Sequence, residues 1–115
     1  MLCFIQTMPW TVEILNEAVA EELEALPTDM KAKFERIVLL ISSNGLNEVG
    51  MPYVRHLQDK LWEMRMKGRD GISRALYVTA HEQRAVVVRV FVKKTQKTPP
   101  REIKLALERA KEVEQ

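Results

Sequence analysis

The run Leu61-Trp62-Glu63-Met64-Arg65-Met66-Lys67-Gly68-Arg69-Asp70-Gly71-Ile72-Ser73-Arg74-Ala75-Leu76-Tyr77-Val78-Thr79 decides the fold. From Leu61 to Lys67 two sets of side chains alternate. Trp62, Met64 and Met66 point one way; Leu61, Glu63, Arg65 and Lys67 point the other. A period of two belongs to a strand. Gly68-Arg69-Asp70-Gly71 has turn chemistry, and Ile72 to Thr79 reads as a second strand. A hairpin closed at that turn sets Lys67 opposite Ile72 and Arg65 opposite Arg74. Opposed residues of an antiparallel pair share a face, so the two arginines stand together. Trp62 then meets Tyr77 on the other face, as an aromatic core pair.

Downstream, His81-Glu82-Gln83 lies in a turn, and Ala85 to Val92 is a β-branched third strand. With a loop over Ala80–Gln83, Arg89 comes opposite Arg74, and Phe91 and Lys93 lie farther along the same face. Pro99-Pro100 opens a final helix to about Val113, with Ile103, Leu105, Ala106, Leu107 and Ala110 as its apolar residues. Upstream, residues 45–59, with Gly50 and Pro52 among them, read as an irregular connection. Before them stand two helices. Thr28 caps the second, which carries Met30, Phe34, Ile37, Val38 and Ile41 on one side and stops at Asn44-Gly45. Asn16 caps the first, which runs to about Leu26 with Ala18, Val19, Leu23 and Leu26 as its stripe. Pro27 breaks it, and the short link makes the pair an antiparallel hairpin. Trp10 to Leu15 reads as a short first strand. The order is β-αα-βββ-α: an α+β fold, a mostly antiparallel sheet with helices packed on one face.

A chain of 115 residues supports one core, so a single domain over 1–115 is expected. With 46% hydrophobic and 30% charged residues, the composition excludes an intrinsically disordered protein. The net charge of +2 hides a split: residues 1–53 hold 3 basic and 8 acidic side chains, residues 54–115 hold 15 and 8. That asymmetry points to a basic working surface and a polyanionic partner. Cys3 is the only cysteine, which excludes an intramolecular disulfide and a cysteine-based zinc site, and suits a reducing cytoplasm. With His56 and His81 as the only histidines, a paired-histidine nuclease and histidine-rich metal chemistry are not expected. No apolar run is long enough for a membrane span, and Met1-Leu2-Cys3-Phe4-Ile5 lacks the flanks of a signal peptide.

Grouping Arg65, Arg74, Arg89 and Lys93 on one face, beside Lys94 and Lys97, is unfavourable unless something anionic binds there. Guanidinium offers bidentate donors to phosphate, and ammonium offers a mobile point charge. The alternative is a set of solvated strand residues, some paired with Glu63 or Asp70. Trp62 and Tyr77 read as core, His56 and His81 as exposed connection and turn residues. Glu102 reads as support for the start of the last helix.

Three segments taken together carry a resemblance: Leu61-Trp62-Glu63-Met64-Arg65; Arg74-Ala75-Leu76-Tyr77; and Val90-Phe91-Val92-Lys93-Lys94-Thr95-Gln96-Lys97-Thr98-Pro99 followed by Glu102, Ile103 and Ala106. They resemble the RelE-type toxins of bacterial toxin–antitoxin systems, in the HigB-like, phage-related branch. The distinctive part covers residues 60–110; the acidic first half matches only in element order. The resemblance implies a RelE-like fold and a ribosome-dependent messenger-RNA endonuclease that needs no metal or cofactor. It also implies a helix-turn-helix antitoxin as partner, with the ribosome and messenger RNA, and no membrane. In that chemistry the ribose 2′-OH attacks the adjacent phosphate. The 2′ proton must be removed, the phosphorane charge stabilised and the leaving 5′ oxygen protonated.

Carried over by position, Arg74 clamps the scissile phosphate, Arg65 adds charge to the transition state, and Lys93 or Lys94 orients the backbone or shuttles a proton. Glu63 stands where RelE proper has a basic residue; it is either the general base or a holder of Arg65. Lys60, Lys67, Arg89 and Lys97 are expected to contact RNA. The Tyr that RelE proper places near the last helix has no counterpart in Thr98-Pro99-Pro100-Arg101. The same fold includes ParE-type proteins that poison DNA gyrase. A toxin that has lost catalysis would serve only as an antitoxin-binding co-repressor.

Overall fold

A computed structural model describes residues 10–50, 53–93 and 97–113. Its elements are β1 (Thr11–Ile14), α1 (Glu17–Glu24), α2 (Thr28–Asn44), a 3-10 turn (Leu46–Glu48), β2 (Val54–Gln58), β3 (Leu61–Gly68), β4 (Gly71–Ala80), β5 (Arg84–Lys93) and α3 (Pro100–Ala110). The strands form one sheet in the order β1-β5-β4-β3-β2. β1 runs parallel to β5, and the other three pairings are antiparallel. The α+β class and the mostly antiparallel sheet are as expected, with one strand more. β2 falls in the stretch read as irregular; it pairs Val54 with Met64, Arg55 with Glu63 and His56 with Trp62.

The β3–β4 hairpin has the expected register, with Arg65 opposite Arg74, Lys67 opposite Ile72 and Trp62 opposite Tyr77. Gly68 is required there by close approach: a Cβ on it would lie 2.7 Å from Asp29 Oδ2 and 2.8 Å from Met30 Cγ. The N-terminal turn of α2 thus sits directly on the hairpin, and Asp29 Oδ2 accepts from the Arg69 amide at 2.8 Å.

The β4–β5 register differs from expectation by two residues. Arg74 faces Phe91, and Arg89 faces Leu76. The turn is one residue shorter than expected, with Ala80 opposite Arg84, and the ladder shifts once more between Leu76 and Tyr77. Each one-residue slip alone would turn the strand over, and the two together restore the face.

The helices do not share one side of the sheet. Val19, Leu26, Met30, Phe34, Ile37 and Ile41 of the α1–α2 segment pack on Met64, Met66, Ala75, Tyr77, Ala85 and Val87. Ala106 and Ala110 of α3, with Val113, pack on Leu61, Leu76, Val78, Val86, Val88 and Phe91 of the opposite face. The cause is the run Ala85-Val86-Val87-Val88, apolar at successive positions. A strand of that kind is apolar on both faces and needs cover on both.

Asn16 caps α1 as expected, its side chain accepting from the Val19 amide at 3.1 Å. Thr28 is not the cap of α2; Pro27 holds that position without a side-chain bond. Gly45, at φ +88°, ends α2 in a conformation that side-chain-bearing residues rarely adopt. β1 stops at Ile14, opposite Val87. Beyond it, side chains from the helices take the bonds of the β5 edge: Glu22 Oε1 accepts from the Val90 amide at 3.1 Å, and Arg109 Nη1 donates to the Val88 carbonyl at 2.9 Å. Among the described residues no helix is long and apolar enough to cross a membrane.

Candidate functional site

The α3 face of the sheet carries charge next to its apolar cluster. Three rows cross the strands there. Arg55, Glu63, Leu76 and Arg89 form one; Arg65, Arg74 and Phe91 the next; Lys67, Ile72 and Lys93 the third. Arg65 and Arg74, on the same face of paired strands, are a like-charge pair that opposes sheet formation unless compensated.

Compensation comes on the diagonal. Glu63 and Arg74 are both fully buried and form an ion pair. Glu63 Oε1 also accepts from Arg55 Nε at 3.0 Å, and its Oε2 accepts from the Thr98 hydroxyl at 2.9 Å. Lys93 is buried, and its Nζ has no hydrogen-bond partner among the described residues. The Nε of Arg65 is likewise buried without one. Four cations, Arg55, Arg65, Arg74 and Lys93, thus surround a single carboxylate. Burial, followed by the field of Arg74, holds the Lys93 ammonium below the ordinary lysine range, against the opposing pull of Glu63. Burial also lowers Arg74, with Glu63 pulling the other way and Arg65 adding to the decrease. Such a cluster is a phosphate-accepting environment: several donors, low local dielectric and excess positive charge.

Of the residues singled out from sequence, Glu63, Arg65, Arg74 and Lys93 come together. Arg74 has no exposed surface and is turned to Glu63, whereas Arg65 is partly exposed. Glu63 holds Arg55 and Arg74, not Arg65. Lys60, Lys67 and Lys97 are exposed. Arg89 is engaged elsewhere: its Nε lies 2.7 Å from Glu102, and its Nη1 lies 2.7 Å from Glu22. Lys94 lies outside the described residues. Arg55 and Thr98 were missed. Arg55 alternates with His56 in a short polar strand, and only its pairing with Glu63 reveals it.

Tyr77 lies in the core, as expected, with its hydroxyl buried and unpartnered among the described residues; burial pushes its pKa well above the ordinary phenol value. Trp62 does not: it is 37% exposed, edge-on to His56 at 5.0 Å between ring centres. It borders a cavity of about 430 Å³ shared with Trp10, Leu46, Val49 and Val54, on the face away from the cations. Among the described residues no cluster of His, Cys, Asp and Glu could hold a metal ion.

The sheet order, the helix pair on one face and the single helix on the other define the chain as an α+β protein of RelE-like fold. The free-state structure of a double arginine-to-alanine mutant of the E. coli toxin RelE superposes with a TM-score of 0.56 at 17% identity, covering 89% of this chain and 98% of that one. A chain of the archaeal RelE–RelB complex of Pyrococcus horikoshii OT3 superposes at 0.53 with 18% identity, covering 74% of this chain and 96% of that one. At these identities the likeness is one of fold. Residues 21–111 match the phage derived protein Gp49-like family (DUF891), and the chain belongs to that family. No curated protein sequence matches it significantly.

Proposed function

We propose that this chain is the toxin of a toxin–antitoxin pair, of the HigB-like kind, and that it cleaves messenger RNA on the ribosome without a metal ion. The observation that carries the reading is the meeting of Arg55, Arg65, Arg74 and Lys93 around one carboxylate, on the sheet face beside α3. A surface that serves only stability does not collect like charges in this way. The shared fold with RelE, one example of which was solved with RelB, supports an antitoxin partner. Messenger RNA enters as a single strand with splayed bases, since a protein of this size recognises phosphates and 2′-hydroxyls rather than a duplex groove. The 2′-hydroxyl gives up its proton to water as its oxygen attacks phosphorus, the bond to the 5′ oxygen breaks and that oxygen takes a proton from water, leaving a 2′,3′-cyclic phosphate; the excess charge on the phosphorane falls among the guanidinium and ammonium donors.

The test is to translate a defined message on purified ribosomes with the wild-type chain and with Arg65→Ala, and to map the ends produced. Cleavage by the wild type, reduced ~10²- to 10³-fold in the variant, is the expected result. An intact message with the wild type rejects the nuclease.

One observation favours a second reading. Among the described residues the cluster holds no histidine or tyrosine, and its one carboxylate is buried and bonded. A chain that binds its antitoxin and cuts nothing fits that poverty of proton-transfer groups. Growth arrest on expression without antitoxin separates the two, and a gyrase supercoiling assay excludes the ParE-like mode.

A further inference from the structure

Glu63 has both oxygens committed. Oε1 accepts from Arg74 and, at 3.0 Å, from Arg55; Oε2 accepts from Thr98 at 2.9 Å; and the residue has no exposed surface. A proton acceptor for the 2′-OH must bring a free lone pair within hydrogen-bond reach of that hydroxyl. An enclosed carboxylate with three donors on it offers no face for that. The same bonds sort the cations. Arg74 and Arg55 are turned to the carboxylate. Arg65 keeps a buried Nε, and Lys93 a buried Nζ, that no described residue satisfies; Arg74 has a buried Nε as well, but its Nη1 is committed to Glu63, whereas neither Arg65 nor Lys93 bonds that carboxylate. Buried donors left without partners cost stability, and that cost persists in sites where a ligand supplies the missing acceptor.

We propose that Glu63 is a positioning residue: it holds Arg55, Arg74 and Thr98 in place and so leaves Arg65 and Lys93 as the pair that receives a phosphate. Arg65 is on β3 and Lys93 on β5, with β4 between them. Their backbones are two strand spacings apart and offset by two residues along the strands, about 12 Å in all, a gap that two long side chains close on one tetrahedral anion. Arg74, fixed behind them, adds field without contact. That the phosphate belongs to RNA rests on the function proposed above; the anion site itself does not depend on it. The depressed Lys93 adds a consequence: a bound anion restores its affinity for a proton.

The experiment titrates the full-length, ¹⁵N-labelled chain with inorganic phosphate and follows the Arg Nε and Lys Nζ resonances. Phosphate is expected to move Arg65 and Lys93 and to raise the pKa of Lys93. Arg65→Gln and Lys93→Gln each abolish the response at the other residue. Glu63→Ala weakens binding by ~10-fold or more, and Glu63→Gln, which keeps the acceptor for the arginines, restores it to within ~3-fold of wild type. On ribosomes Glu63→Gln keeps the wild-type pH profile, with kcat within ~10-fold, where loss of a general base costs ~10²- to 10⁴-fold and flattens the acid limb. Responses confined to Arg55 and Arg74, absence of phosphate binding, or a flattened profile each overturn the assignment. If the Glu63 variants do not fold, the wild-type, Arg65→Gln and Lys93→Gln titrations decide it alone. Phosphate bound at Arg65 and Lys93 by a chain that leaves messages uncut would uphold the anion site and reject only the nuclease.

Discussion

Arg65 and Arg74 face each other across one hairpin and have opposite fates. Arg74 is sealed against Glu63, while Arg65 reaches the surface. Truncating one partner of a buried ion pair leaves the other charge stranded, so Arg74→Ala is expected to cost about 3–5 kcal/mol in denaturant unfolding. Arg65→Ala should change stability by less than about 1 kcal/mol and act on RNA instead. A comparable loss of stability in both variants would contradict the division. The Tyr77 hydroxyl is buried with no partner among the described residues. Tyr77→Phe should therefore be neutral or stabilising by up to about 1 kcal/mol, measured by thermal unfolding, and should leave any cleavage unchanged. At this scale the sequence was legible where hairpin geometry dictated it: the Arg65–Arg74 pair follows from one turn. Arg55 and Thr98 were not legible. Each acquires its meaning from a carboxylate distant in sequence, and no local pattern marks such a partnership.

Among the elements, the β3–β4 hairpin and α2 depend on one missing side chain. Gly68→Ala would push a methyl group into Asp29 and Met30, with an expected loss of about 1–3 kcal/mol and a displaced α2 start. Calorimetry of the variant checks this; an unchanged melting temperature would mean that the helix yields freely. A second joint ties α1, β5 and α3. Glu22 is bonded by Arg109, the Val90 amide and Arg89, while Arg89 also bonds Glu102. Burial alone would raise the Glu22 carboxyl, but the bonds from Arg109, Val90 and Arg89 outweigh it and leave its pKa below the ordinary value of 4.5. A depressed carboxyl contributes stability that is complete above its unfolded pKa and is lost as pH falls through the folded one. Acid unfolding followed below pH ~5 should thus show a steeper fall in wild type than in Glu22→Gln, which lacks the contribution throughout. Helix and strand existence was readable from periodicity, as α1, α2, β3, β4 and β5 demonstrate. β2 was hidden because an edge strand of polar residues after Gly50 and Pro52 has the composition of a loop. The second helical layer was hidden too, although Ala85-Val86-Val87-Val88 announced a strand apolar on both sides.

Over the whole molecule, the acidic side chains divide evenly, 8 in residues 1–53 and 8 after them, while 15 of the 18 basic ones lie after residue 53. If Arg65, Lys93 and one of the exposed lysines replace counterions on single-stranded RNA, log affinity should fall against log salt with a slope of about −2. Filter binding to a 2′-deoxy-blocked oligonucleotide between low and physiological salt measures it, and a slope near zero would contradict a phosphate-based grip. The charge asymmetry was visible in composition alone; the place of Arg89 was not, because two one-residue shifts add up to carry it from Arg74 to Leu76. The flank of β5 has its own consequence. Where β1 ends, Glu22 and Arg109 occupy the amide and carbonyl that another chain's backbone would need for docking. Copies of this protein crowded together are therefore denied a template along that stretch, and the sheet is guarded there against zipping into a fibre by the same residues that fasten its helices.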